Sequence, residues 1–236
     1  MVVKPGDPDA VEQLFNDVAP RYDRLNDLLS LGLHRQWKRQ LLAWLQPQVG
    51  ERWIDLCCGT GDLALSLARV VRPSGVVVGL DAAAAPLELA EQRRALEPWL
   101  DVEWLHADAL STGLPGASFD GLVMAYGLRN LADPVAGFQE MRRLLKPGGR
   151  AGVLDFNRLP EASWSAAFQR LYLRRIVVPA AGLAGLEPQY AYLEDSLKRF
   201  ATGPEQEAMA LDAGFQKARH RSLVAGQMGL LLLENQ

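Results

Sequence analysis

Trp53-Ile54-Asp55-Leu56-Cys57-Cys58-Gly59-Thr60-Gly61-Asp62 is the stretch that decides the fold. Residues 53–57 form a short, mostly apolar run that stops at Gly59-Thr60-Gly61, and residues 63–71 follow with apolar side chains at helical spacing. A strand that ends on glycines and feeds a helix N-terminus brings backbone N–H groups close to a ligand.

Outward from this stretch the pattern repeats. Residues 75–80 read as a second buried strand ending at Asp81, and Pro86 opens a predicted helix to about Leu96. Residues 102–106 and 119–126 are predicted as the third and fourth strands. Asp133-Pro134 caps and opens a helix to Leu145, halted by Lys146-Pro147-Gly148-Gly149, and residues 150–156 make a fifth strand. Strands alternating with helices imply right-handed crossovers and a parallel sheet covered on both faces. Upstream, residues 9–18 and 33–45 read as helices. Downstream, residues 161–201 break the rhythm and are expected to form helices capping the sheet edge. Residues 215–223 and 227–233 then close an antiparallel hairpin around Val224-Ala225-Gly226. The predicted architecture is three-layer α/β with one terminal hairpin, a single domain over 1–236.

The 236 residues are 49% hydrophobic and 22% charged with net charge −3, an ordinary globular balance with no basic excess for nucleic acid. No apolar signal core follows Met1-Val2-Val3-Lys4-Pro5, and the uncharged, lid-like run 176–186 is too short for a span and carries Pro and Gly. A cytoplasmic location is the expectation. Cys57 and Cys58 are adjacent. Neighbouring Cα atoms lie about 3.8 Å apart, below the roughly 4.4 Å a disulfide needs, so free thiols are expected. His34, His106 and His220 are too scattered for a zinc site, and no metal is predicted.

Ligands of such folds bind beyond the carboxyl ends of the strands. There this chain carries Asp55 and Gly59-Thr60-Gly61-Asp62, then Asp81, then Asp108-Ala109, then Ala125-Tyr126-Gly127. Asp81 stands about 20 residues past the glycines, placed for ribose hydroxyls, and Asp108 for an adenine amino group. Gly59-x-Gly61-x-x-Ala64 with Asp81 also satisfies a loose dinucleotide fingerprint, so an NAD-linked oxidoreductase is the competing reading. Local charge argues against it. Asp55 and Asp62 would repel a pyrophosphate, whereas S-adenosylmethionine brings an ammonium and a sulfonium; opposite charges about 4 Å apart are worth about 4 kcal/mol before desolvation. Singly, Asp62 reads as an acid in a helix's first turn and Asp81 or Asp108 as a turn residue. Together, at successive strand ends, they read as a cofactor site.

Two further sets of residues carry a resemblance. One is Phe15-Asn16-Asp17-Val18-Ala19-Pro20-Arg21-Tyr22-Asp23-Arg24-Leu25-Asn26-Asp27, continuing through Ser30-Leu31-Gly32-Leu33-His34-Arg35-Gln36-Trp37-Lys38. The other is Ala125-Tyr126-Gly127-Leu128-Arg129-Asn130, with Leu154-Asp155-Phe156 and Tyr190-Ala191-Tyr192 after it. On these the chain resembles the menaquinone/ubiquinone-biosynthesis C-methyltransferase family over nearly its whole length. The resemblance implies a class I methyltransferase Rossmann-like fold. Its mostly parallel seven-stranded sheet would carry an N-terminal helical cap (1–46) and a helical lid (157–201). It implies S-adenosylmethionine held by Asp55, Gly59, Thr60, Gly61, Asp81, Asp108, Ala109 and Ala125, with Tyr22 closing over it. Cys57 departs from the family's small residue, and an alanine run follows Asp81. The C-terminus, lacking a His-containing ending, is similar to the branch of oxygenic phototrophs whose substrate is demethylphylloquinol. A non-catalytic S-adenosylmethionine-binding protein is the remaining alternative.

The implied chemistry is methylation of a quinol ring carbon. A quinol hydroxyl has a pKa near 10, and a nearby cation favours its anion, which loads electron density onto the ring. Arg129 is the expected cation, Asn130 the donor to a ring oxygen, and His34 or an oriented water the base. An isoprenoid quinol lives in a bilayer, and Phe168-Gln169-Arg170-Leu171-Tyr172-Leu173-Arg174-Arg175-Ile176 combines apolar and basic residues suited to peripheral membrane contact or, equally, to a lid. The sequence leaves a homodimer open.

Overall fold

In the computed structural model the described residues are 7–18, 30, 32–159, 175 and 196–235. The expected lid, the basic stretch from Phe168, and Tyr22 lie outside them, apart from Arg175 and the ends of the lid range.

The strands are β1 (Arg52–Leu56), β2 (Val76–Asp81), β3 (Val102–His106), β4 (Phe119–Ala125), β5 (Leu145–Phe156), β6 (Lys217–Leu223) and β7 (Met228–Asn235). They form one seven-stranded sheet in the order β3-β2-β1-β4-β5-β7-β6. The pairs from β3 to β5 are parallel, while β7 runs antiparallel to β5 and β6. The sheet therefore matches the sequence expectation, including the closing hairpin, whose turn is Val224–Gly226. Strand order reverses between β1 and β4, the switch point at which such sheets open a crevice.

The helices are α1 (Pro8–Val18), α2 (His34–Leu45), α3 (Asp62–Val71), α4 (Ala84–Arg94), α5 (Pro134–Leu144) and α6 (Gly203–Asp212). Side chains alternate along a strand, so Trp53 and Asp55 share one face of β1 while Ile54 and Leu56 share the other. Ile54 and Leu56 join the core with Phe138 and Met141 of α5; Trp53 joins the core with Leu63 and Leu67 of α3 and Trp37 and Leu41 of α2. The N-terminal segment read as a helical cap includes α2, which packs on the sheet and buries Trp37, Leu41 and Leu45.

Most boundaries fall within two residues of expectation, and two differences have a physical reading. The helix expected to open at Pro86 begins two residues earlier, at Ala84, and Pro86 occupies its third position. The segment from Lys146 to Gly149, expected as a loop, belongs to β5. Leu145 pairs with Phe119, and the Asn235 amide donates to the carbonyls of Leu145 and Lys146 at 3.0 and 3.1 Å. Partners distant in sequence thus supply the hydrogen bonds that a Pro-Gly-Gly stretch does not make locally. The helix start at Asp133-Pro134 stands as read: the Asp133 carboxylate accepts from the N–H groups of Val135 and Ala136 at 2.9 and 3.0 Å.

Candidate active site

A cavity of about 350 Å³ opens at the carboxyl ends of β1 to β4. Cys57 and Gly59 line it after β1, Asp81, Ala82 and Ala83 after β2, His106 to Leu110 after β3, and Ala125, Tyr126, Gly127 and Asn130 after β4. Val11, Glu12 and Phe15 of α1 close it from above the strand ends.

Local geometry explains why these residues meet here. Gly61 adopts φ +78°, and a Cβ there would come within 2.5 Å of the Trp104 ring, so a close turn and an indole packed against it both require glycine. This lets the loop turn into α3 directly beside β2. The Asp81 carboxylate then receives the Gly59 N–H at 2.8 Å and the Ala83 N–H at 2.9 Å, tying the two strand ends together. Burial raises the Asp81 pKa from its ordinary value, against those N–H donors. Asp108 accepts the Leu110 N–H at 2.9 Å, and the His106 ring contacts the Ala82 carbonyl at 2.7 Å.

The arrangement suits an adenosine. Ala82, Ala83, Pro86, Ala107, Ala109 and Leu110 supply apolar wall, and Asp81 and Asp108 place carboxylates at adjacent strand ends. Asp55 lies near the end of β1, wholly buried, and one of its oxygens has no hydrogen-bond partner among the described residues. Burial pushes its pKa up to about 8, with Lys38 pulling the other way. A buried carboxyl with an unmatched oxygen is suited to a cationic ligand group, because such an atom costs free energy until it is paired.

Of the residues expected from sequence, Gly59, Asp81, Asp108, Ala109, Ala125 and Asn130 line the cavity. Asp55, Thr60 and Gly61 stand outside its lining; the Thr60 hydroxyl accepts from Arg93 at 2.9 Å. Asp62, invoked above as a free negative charge, is ion-paired with Lys38 at 2.9 Å. Burial opposes its ionisation, but Lys38 overrides this and holds the pKa below the ordinary value. Asp62 therefore carries little of the electrostatic case against a pyrophosphate. Arg129 does not line the cavity as the expected free cation. Its guanidinium is buried against Asp155 at 2.7 Å and donates to the Tyr126 carbonyl at 2.8 Å. His34, on α2, is buried with its ring 2.8 Å from the Ser30 hydroxyl and is likewise not part of the cavity lining. Those two expectations came from motif position, which does not reveal where a side chain turns once α2 and β5 are packed.

Sequence reasoning missed the α1 wall, Cys57 and His106, whereas Tyr126 belongs to the Ala125-Tyr126-Gly127 strand end it named. The apolar spacing of Val11, Leu14 and Phe15 along α1 was the available signal for the first. Cys57 and Tyr126 both adopt positive φ, 56° and 65°, which bends the chain at the ends of β1 and β4. The Cys57 thiol is held neutral, burial first and then Asp81 and Asp55 raising its pKa.

The family described as the ubiE/COQ5 methyltransferase family matches residues 3–231. A 2-phytyl-1,4-naphtoquinone methyltransferase of Synechococcus elongatus is 46% identical over 228 residues, covering 96% of this chain and 97% of that one. A chloroplastic 2-phytyl-1,4-beta-naphthoquinone methyltransferase of Arabidopsis thaliana is 41% identical over 222 residues, covering 93% and 85%. Among solved structures, a SAM dependent methyltransferase from Aquifex aeolicus superposes with TM-score 0.62 at 17% identity, covering 84% of this chain and 89% of that one, a likeness of fold. With a cavity at the switch point and a family match across almost all of its length, the chain belongs to the ubiE/COQ5 methyltransferase family and is an S-adenosylmethionine-dependent methyltransferase.

Proposed function

We propose that this chain methylates a ring carbon of a phytylated naphthoquinol, the last carbon–carbon bond of a phylloquinone-type quinone. The observation that carries this reading is the 46% identity, end to end, with the Synechococcus enzyme named for that substrate. Cavity chemistry supports it. The sulfonium of the cofactor supplies an already electrophilic methyl group. The protein's part is to hold the ring carbon in line at roughly 3 to 3.5 Å. The Asn130 amide donates to the Tyr126 carbonyl at 3.0 Å and stands in the cavity wall, and it is given the role of donor to a ring oxygen. Arg129, neutralised by Asp155, shapes the loop that presents Tyr126 and Asn130 rather than facing the quinol. Because a phytylated quinol partitions into a bilayer, the proposal places the enzyme in the cytoplasm and at the membrane surface.

Anaerobic incubation with methyl-labelled S-adenosylmethionine and reduced 2-phytyl-1,4-naphthoquinone tests this. Label on the ring carbon of the quinol, and none with the oxidised quinone, is the expected result. Label on an oxygen would overturn it. A preference for a polyprenyl over a phytyl tail would move the substrate to demethylmenaquinol.

Asp55 makes a pH-dependent prediction. With its ligand-free pKa near 8, the group is protonated at neutral pH. A cationic cofactor group near it would favour the ionised form and lower its pKa in the complex, so binding expels a proton at pH values between the bound-state pKa and about 8. S-adenosylmethionine affinity should rise by up to about tenfold per pH unit from pH 6 to 8, then level off. The Asp55→Asn variant should bind more weakly with a flat profile. Calorimetry in buffers of different ionisation enthalpy reads the proton directly; a pH-independent affinity in the wild type would refute the coupling.

A further inference from the structure

The start of α4 is short of its own hydrogen-bond acceptors. Its N-cap residue is Ala83, which has no side-chain oxygen, and Ala82 to Ala85 continue the alanine run. A helix start leaves its first N–H groups without partners inside the helix, and a Ser, Thr, Asp or Asn at the N-cap usually serves one at the second or third position. At the third position stands Pro86, which has no N–H to serve. That leaves the Ala85 N–H as the donor a cap would take. It is taken from elsewhere: the side-chain oxygen of Asn16, on α1, accepts it at 2.9 Å, across 69 residues of sequence. The Ala83 N–H is served in turn by Asp81.

Asn16 sits beside the residues of α1 that close the cavity. Val11, Glu12, Phe15 and Asn16 recur at the one- and four-residue spacing that shares a helix face. The first three line the cavity and the fourth caps α4, whose opening turn, Ala83 and Pro86, lines the same cavity. One hydrogen bond thus joins the covering helix to the wall that holds the adenosine.

We propose that Asn16 is a positioning residue for the cofactor: by capping α4 it latches α1 over the cavity and slows cofactor release. A polar side chain at position 83 would cap α4 locally and remove the need for the latch; the alanine run leaves the cap to α1. The inference rests on the cofactor and not on which quinol is methylated.

The test uses the full-length protein with S-adenosylmethionine alone. Calorimetry gives the dissociation constant, a stopped-flow chase gives the release rate, and ligand-free melting gives the stability. Asn16→Ala should weaken binding about five- to tenfold, the scale of one hydrogen bond, with the change in the release rate. Asn16→Asp keeps an acceptor oxygen and adds a charge that suits a helix N-terminus, so it should restore slow release. Glu205→Ala is the control. It removes the carboxylate that accepts the Thr202 N–H at 2.7 Å at the start of α6, outside the cavity lining, and should lower melting without altering release. Wild-type release in Asn16→Ala would overturn the proposal. So would equal acceleration in Glu205→Ala, which would reduce the effect to general loss of stability.

Discussion

Replacing Asp155 with alanine is expected to cost about 3–5 kcal/mol of folding stability, the scale for breaking a buried ion pair from one side. The Asp155 side chain is fully buried, and that of Arg129 nearly so. Beyond the guanidinium, the same carboxylate accepts the backbone N–H groups of Arg129 and Phe156 at 3.1 and 2.8 Å. Truncation would leave a cation and two backbone donors in a site that water does not reach. Urea unfolding should show a lower midpoint with an unchanged slope. Arg129→Met should also destabilise, because it strands the carboxylate. The double variant Arg129→Met with Asp155→Leu should recover the part due to the stranded charge, since an apolar pair of similar volume removes both buried charges, while the backbone N–H groups of Arg129 and Phe156 stay unmatched. A cost below about 1 kcal/mol for Asp155→Ala, the range of exposed pairs, would show that this ion pair does not anchor the loop. The result bears on catalysis as well. If Arg129 stabilised the quinol anion directly, the activity lost in Arg129→Met would return at high pH, where the quinol ionises unaided. With Arg129 bound to Asp155, the loss should persist across the pH range.

Asp81→Ala should weaken S-adenosylmethionine binding by about 1.5–3 kcal/mol, roughly 10- to 150-fold, the scale of hydrogen bonds to a charged group. Two effects combine. The cavity loses its acceptor for the ribose, and the N–H groups of Gly59 and Ala83 lose the oxygens that join the ends of β1 and β2. Asp81→Asn keeps one acceptor oxygen and should fall between wild type and alanine. Calorimetric titration of the three proteins decides the matter, and an Asp81→Ala variant that binds like wild type would remove Asp81 from the site.

These two carboxylates show how unevenly function was legible in the chain. Asp81 could be read because its place in the cavity follows from position: it ends a strand about 20 residues beyond the glycines, and backbone N–H groups meet it there. Asp155 was visible only as part of a family-like Leu-Asp-Phe motif. Its pairing with Arg129 depends on β4 and β5 lying side by side, with Ala125 opposite Leu154.

The sequence by itself determined the alternation of strands and helices, the closing hairpin and the strand ends around which the cavity opens. Those signals are local: hydrophobic period, glycine, proline and the Asp133 cap act within a few residues. Only the tertiary structure decided which charges and donors are already satisfied. Lys38 reaches Asp62 across 24 residues, Arg129 reaches Asp155 across 26, and Asn16 reaches the N–H of Ala85 across 69. Spacing along a chain does not encode such pairings; they arise when packed layers bring side chains within about 3 Å, where burial makes each partner costly to leave unmatched.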